Sequence, residues 1–190
     1  MLKDEMVLYH GSYVEINEID LSLCDENKDF GKGFYLTTSK KQAISFINTS
    51  LTKAQRKGKA ETSQNYGYVT AFKVKLDKDV KCYEFDGASK DWLYYIAINR
   101  REWLATKLKR LLSKNYEAYD VLIGKIANDD TNATLMAYLS GTYGDVEDES
   151  AFNMVRSFLK PDRLENQYCF KTEKAIKMLE KTGAQRYELW

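Results

Sequence analysis

One proline, one histidine and three cysteines stand in 190 residues, and no long apolar run occurs. Cys24, Cys82 and Cys169 are odd in number and widely spaced, with no Cys-x-x-Cys pair. That argues against a disulfide framework and against a zinc site, and it fits a reducing cytosol. A membrane-crossing helix needs about 20 consecutive apolar residues, and none is present, so no membrane association is expected. The opening Met1-Leu2-Lys3-Asp4-Glu5 is charged and runs at once into an expected strand, which is not the pattern of a signal peptide. A cytoplasmic protein is the expectation. Twenty-nine basic side chains against 28 acidic ones leave a formal net charge of +1, so there is no global field to hold nucleic acid or an anionic membrane. P-loop, His-Glu-x-x-His and Gly-x-Ser-x-Gly motifs are absent, and no metal is expected.

The composition that remains is that of a globular chain, with 44% apolar residues and interspersed charges of both signs. The length suits one well-buried core, and residues 1–190 read as a single domain. Strands are expected over Met6–His10, Gly33–Thr37, Gly67–Leu76, Val80–Phe85, Tyr119–Ile126 and Gln167–Phe170, with an edge strand at Tyr187–Trp190. Ser39, with Gln42 three residues on, reads as a capping box opening a helix that runs to about Asn48. Other helices are expected through Trp92, Leu93, Tyr95, Ile96 and Ile98, through Leu135–Leu139, through Phe152–Leu159 with Pro161 as its stop, and from Thr172 through Leu179. The mixture has no βαβ regularity, which indicates an α+β fold.

Three short segments carry the chemistry. Leu8-Tyr9-His10-Gly11-Ser12 sets the only histidine at a strand end, beside a glycine whose peptide a planar ligand can approach and a serine hydroxyl. Asp29-Phe30-Gly31-Lys32-Gly33-Phe34-Tyr35-Leu36 allows a tight turn, with Gly33 leading into a strand that fixes the direction of Tyr35; a tyrosine ring stacks well on a flat heterocycle. Glu165-Asn166-Gln167-Tyr168-Cys169-Phe170 begins polar and turns aromatic. Each also has a bland reading: a satisfied strand-end histidine, a β-turn before a core aromatic, and a solvated strand start.

Taken together and in this order, the segments resemble the NAD site of the diphtheria-toxin-like branch of the ADP-ribosyltransferases, which includes the poly(ADP-ribose) polymerases. They look most similar to bacterial proteins of unknown function within that superfamily. The resemblance implies an α+β fold of two small twisted sheets packed as a split β-sandwich, with helices outside. It implies NAD as substrate, with the carboxamide on Gly11, nicotinamide between Tyr35 and Phe46, and ribose hydroxyls on His10 and Gln167. Ala43 falls where relatives often carry a serine, so one hydrogen bond is lost there. Gln167 stands where the His-Tyr-Glu triad has its glutamate; loss of one preorganised electrostatic contact costs about 2.7–4 kcal/mol of transition-state stabilisation.

The reaction implied is mono-ADP-ribosyl transfer to an unknown protein or nucleic-acid acceptor, and analogy places it in a bacterial toxin or defence system with an antitoxin or immunity partner. A non-catalytic NAD or ADP-ribose module and an NAD glycohydrolase are the alternatives. Glu165, two residues from Gln167, would share its face on a strand and supply the missing charge. Asp129 and Asp130 read as an acidic acceptor loop or as a helix cap. The run Lys53–Lys59 reads as a phosphate contact or a solvated face, and Trp92, Tyr95 and Trp103 read as core.

Overall fold

The computed structural model describes residues 1–100, 106, 108–127, 129–159 and 164–189. Seven strands form one mixed sheet: β1 (Val7–Ser12), β2 (Phe34–Thr37), β3 (Tyr66–Val74), β4 (Cys82–Glu84), β5 (Val121–Lys125), β6 (Asn166–Phe170) and β7 (Leu179–Glu188). Their order is β4-β5-β6-β2-β1-β3-β7, antiparallel throughout except for β4 beside β5. The helices are α1 (Lys40–Arg56), α2 (Lys90–Arg100), α3 (Asp129–Leu139), α4 (Glu149–Leu159) and the single turn α5 (Glu173–Ile176). The class is α+β, as expected.

Two separate sheets were expected, and the structure differs here. The halves are joined at β1 and β2, but only through the pair Tyr9↔Thr37. On either side the ladders are long: β1 follows β3 from Val7↔Lys73 to Ser12↔Tyr68, and β2 follows β6 from Phe34↔Phe170 to Thr37↔Gln167. The sheet is therefore continuous in order but divided at one seam.

Both faces of the sheet are covered at β5, so this strand reads as an apolar run from Val121 to Gly124. In β5, Leu122 enters the core formed with α2, α3 and α4, whereas Val121 and Ile123 enter the opposite core with Leu8, Phe34, Phe72 and Phe170. Strand geometry requires this alternation. Helix α2 is buried from Trp92 to Ile98, which explains why its sequence is apolar all round. Trp103 and Pro161, for which a core place and a helix stop were expected, lie outside the described residues, as does Trp190.

Two boundaries fall elsewhere than the sequence suggests. Helix α1 continues eight residues past Asn48, to Arg56, because Leu51 and Ala54 extend the buried stripe of Ala43 and Ile47. Lys53 and Arg56 suit its C-terminal dipole, and Gly58, at φ 66°, takes the chain away. Half of the capping box forms. Ser39 Oγ accepts from the Gln42 amide at 3.3 Å, while the Gln42 side chain is paired with Thr37 Oγ1. Strand β7 begins at Leu179, where α5 was expected to continue, and pairs with β3 along its length. Being an edge strand with exposed residues on both faces, it has no apolar alternation to betray it.

Ile47 is fully buried where α1 lies on the sheet beside Val69. Ile47→Ala is expected to lower stability by about 2–5 kcal/mol. Urea unfolding checks this: the midpoint should fall with the slope unchanged.

Candidate functional site

Past Tyr9↔Thr37, an ideal ladder would continue through His10↔Leu36 to Gly11↔Tyr35. It does not form. Instead, His10 Nδ1 donates to the Tyr35 carbonyl at 2.8 Å, and the imidazole stacks on Phe34 with centroids 4.4 Å apart. A side chain thus satisfies the carbonyl that the neighbouring strand leaves open. The β2-facing edge of β1 is left without a strand partner from His10 to Ser12.

A cleft of about 480 Å³ opens at this seam, walled by α1, the chain from Tyr13 to Asp29 and the end of β6. His10, Gly11, Ser12, Gly33, Tyr35, Phe46 and Gln167 all line it. The sequence-derived ligand residues, from three distant segments and α1, are brought together.

The tautomer of His10 follows from its partner. A carbonyl only accepts, so Nδ1 carries the proton and Nε2 is left as an acceptor in the neutral ring. Burial lowers the pKa below 6.5, and the nearby Lys28 charge acts in the same direction against the favourable Tyr35 bond. The ring therefore offers an acceptor to a hydroxyl.

Tyr35 is anchored at its far end. Its hydroxyl donates to the Gly31 carbonyl at 2.7 Å and accepts from the Phe30 amide at 2.9 Å. Burial raises the tyrosine pKa strongly and pushes the neighbouring Cys169 thiol up to about 12, so neither ionises near neutrality. The tyrosine ring is a fixed platform. Phe46, on α1, also lines the cleft and is 41% exposed.

Gly11 has a different reason for being glycine than ligand approach. A Cβ there would lie 1.8 Å from the Ala43 carbonyl oxygen, so the missing side chain is what lets α1 close on β1. Ala43 is buried at the same contact and lines the cleft without a hydroxyl.

Gln167 is buried, and its Nε2 donates to Asp29 Oδ2 at 2.6 Å and to the Lys125 carbonyl at 3.2 Å. Asp29 in turn receives Arg100 through Nε at 2.8 Å and the Ala127 amide at 3.0 Å; Arg100 also donates to the Ala127 carbonyl at 2.6 Å. Asp29 and Arg100 both line the cleft. In the sequence Asp29 is marked only by its place in the glycine segment, and Arg100 by nothing. They are 71 residues apart, and nothing local signals the pair.

Glu165 does not join the site. Its side chain is exposed and outside the cleft lining, and it precedes the first residue of β6, so the strand-face argument does not apply. Only its carbonyl is engaged, by the Ile126 amide at 2.9 Å. Asp129 and Asp130 begin α3, and their side chains lie outside the description. Lys53 and Lys57 line the cleft and are both paired with Asp25. Among the described residues no group of three or more His, Cys, Asp or Glu could hold a metal ion, and no helix is long and apolar enough to cross a membrane.

These features define an α+β protein whose sheet parts at a cleft lined by His10, Tyr35 and Gln167. The family described as "Protein of unknown function (DUF3990)" matches residues 6–181, and the chain belongs to it. No curated protein matches the chain.

Two outcomes test this geometry. Gly11→Ala should destabilise the protein by about 1–3 kcal/mol through overpacking against α1, read in urea unfolding. The folded state also disfavours protonated His10, so below pH 6.5 the unfolded chain takes the proton first. Stability should therefore be fully present above 6.5 and fall as the pH drops towards the lowered folded value. Since His10 is the only histidine, His10→Gln should flatten that limb of a melting-temperature profile taken from about pH 5 to pH 8.

Proposed function

We propose that this protein binds NAD in the seam cleft and acts as a mono-ADP-ribosyltransferase. The observation that carries the reading is the convergence of His10, Gly11, Ser12, Gly33, Tyr35, Phe46 and Gln167 on one cleft. In this reading nicotinamide lies between Tyr35 and Phe46, with its carboxamide on the unpaired edge of β1 at Gly11. The ribose hydroxyls donate to His10 Nε2 and Gln167 Oε1. The C1′–N bond breaks with its electron pair leaving on nicotinamide, and a nucleophile of the acceptor then attacks C1′. Holding the ribose by two acceptors favours the electron-poor sugar of the transition state, though less than a carboxylate would.

A second reading, a module that holds NAD or ADP-ribose intact, is favoured by one observation. The amide of Gln167 is neutral, and the Asp29 charge behind it is opposed by Arg100 at 2.5 Å. A plain NAD glycohydrolase, with water as nucleophile, would use the same cleft. A role as a bacterial toxin or defence component, with an antitoxin or immunity partner, rests on analogy alone.

Incubation with NAD labelled in its ADP-ribose half, with and without cell lysate and nucleic acid, tests the reading. Label on a macromolecule is the expected result. Free ADP-ribose identifies a hydrolase, and intact NAD with measurable binding identifies the module. His10→Ala and Tyr35→Ala should each weaken NAD binding about tenfold or more. Binding equal to wild type in both variants would remove the ligand from this cleft.

A further inference from the structure

The Gln167 amide faces two groups that only accept. One is the Asp29 carboxylate, ion-paired with Arg100, and the other is the Lys125 carbonyl. The NH2 group must therefore lie on that side, and Oε1 on the other. No described residue bonds Oε1, and among the described residues no buried side-chain nitrogen or oxygen lacks a partner. Oε1 is thus the atom open to the cleft that Gln167 lines.

We propose that Asp29 is a positioning residue of the cleft, which requires an amide at residue 167 and turns its oxygen towards the ligand's ribose. The proposal rests on the NAD reading of this cleft. It gives the glutamine a cause. A glutamate at 167 would bring a carboxylate oxygen against Asp29 Oδ2 and the Lys125 carbonyl, where Nε2 now stands at 2.6 and 3.2 Å. Two carboxylates at such range cannot both ionise without cost. The acid of the site has moved behind the amide, and the amide presents the same kind of acceptor that a carboxylate would. The charged groups facing residue 167 among the described residues are Asp29 and Arg100. The Lys125 ammonium is turned to the Leu164 carbonyl, while Lys28, whose charge acts on Asp29 and Arg100, shares the cleft with His10, Tyr35 and the Asp25–Lys53–Lys57 cluster.

Melting temperatures of the wild type, Asp29→Asn, Gln167→Glu and the double variant, from about pH 5 to pH 8, test the coupling, with calorimetric titration of NAD beside them. Asp29→Asn is expected to lower the melting temperature of the wild type and to raise that of Gln167→Glu at neutral pH. Gln167→Glu should be least stable at the alkaline end and recover on acidification, because a protonated acid can donate to Asp29. The double variant should lack that response. Asp29→Asn should weaken NAD binding about tenfold, and the double variant should bind more tightly than Gln167→Glu. Should Gln167→Glu fail to fold at neutral pH, recovery of folded protein on adding Asp29→Asn is the expected result and continued failure overturns the proposal. Equal losses from Asp29→Asn in both backgrounds, or a Gln167→Glu profile parallel to wild type, overturn it as well. The melting temperatures need no ligand, so a wild type that shows the coupling without binding NAD defeats the functional reading and not the Asp29–Gln167 unit.

Discussion

The hydrogen bond from His10 Nδ1 to the Tyr35 carbonyl is the contact on which the site depends. Antiparallel strands that begin to pair ordinarily continue, because each open carbonyl costs free energy when buried. Here the histidine takes the place of the next rung, so β1 and β2 share one register pair and then part. The same bond fixes the imidazole tautomer and leaves Nε2 as an acceptor. One interaction therefore opens the seam and sets the chemistry of one of its banks.

The other bank is built by charge. Asp29 gathers Arg100, the Ala127 amide and Gln167, and these tie the end of α2 and the chain after β5 to the end of β6. Buried polar groups survive when they are paired, and among the described residues no fully buried side-chain nitrogen or oxygen lacks a partner. Tyr35 lies between the banks, held through its hydroxyl by the Phe30–Gly31 turn. Rigid positioning of this kind lowers the ordering cost of binding a ligand by a few contacts.

Much of this was legible in the sequence because it is local or periodic. The α+β class, the β5 run and the N-cap at Ser39 follow from patterning that packing did not override. The glycine and histidine segments were recognisable because short motifs fix short-range geometry. What escaped was non-local. The Asp29–Arg100 pair spans 71 residues. Strand β7 is recruited by the free edge of β3, not by its own pattern. The closeness of Gly11 to Ala43, which explains the glycine by packing, is visible only once α1 is docked. Glu165 misled for a related reason: period-2 reasoning holds inside a strand, and the strand begins one residue later.

As proposed, the seam is a ribose-and-nicotinamide site with an acceptor on each bank. A crystal structure with NAD or ADP-ribose bound tests it most directly. The account predicts ribose hydroxyls within about 3.2 Å of His10 Nε2 and Gln167 Oε1, with the Asp29–Gln167 bond kept. With NAD, the nicotinamide ring should lie against Tyr35. A ligand seated outside the seam, or one that meets Gln167 through Nε2, would contradict it.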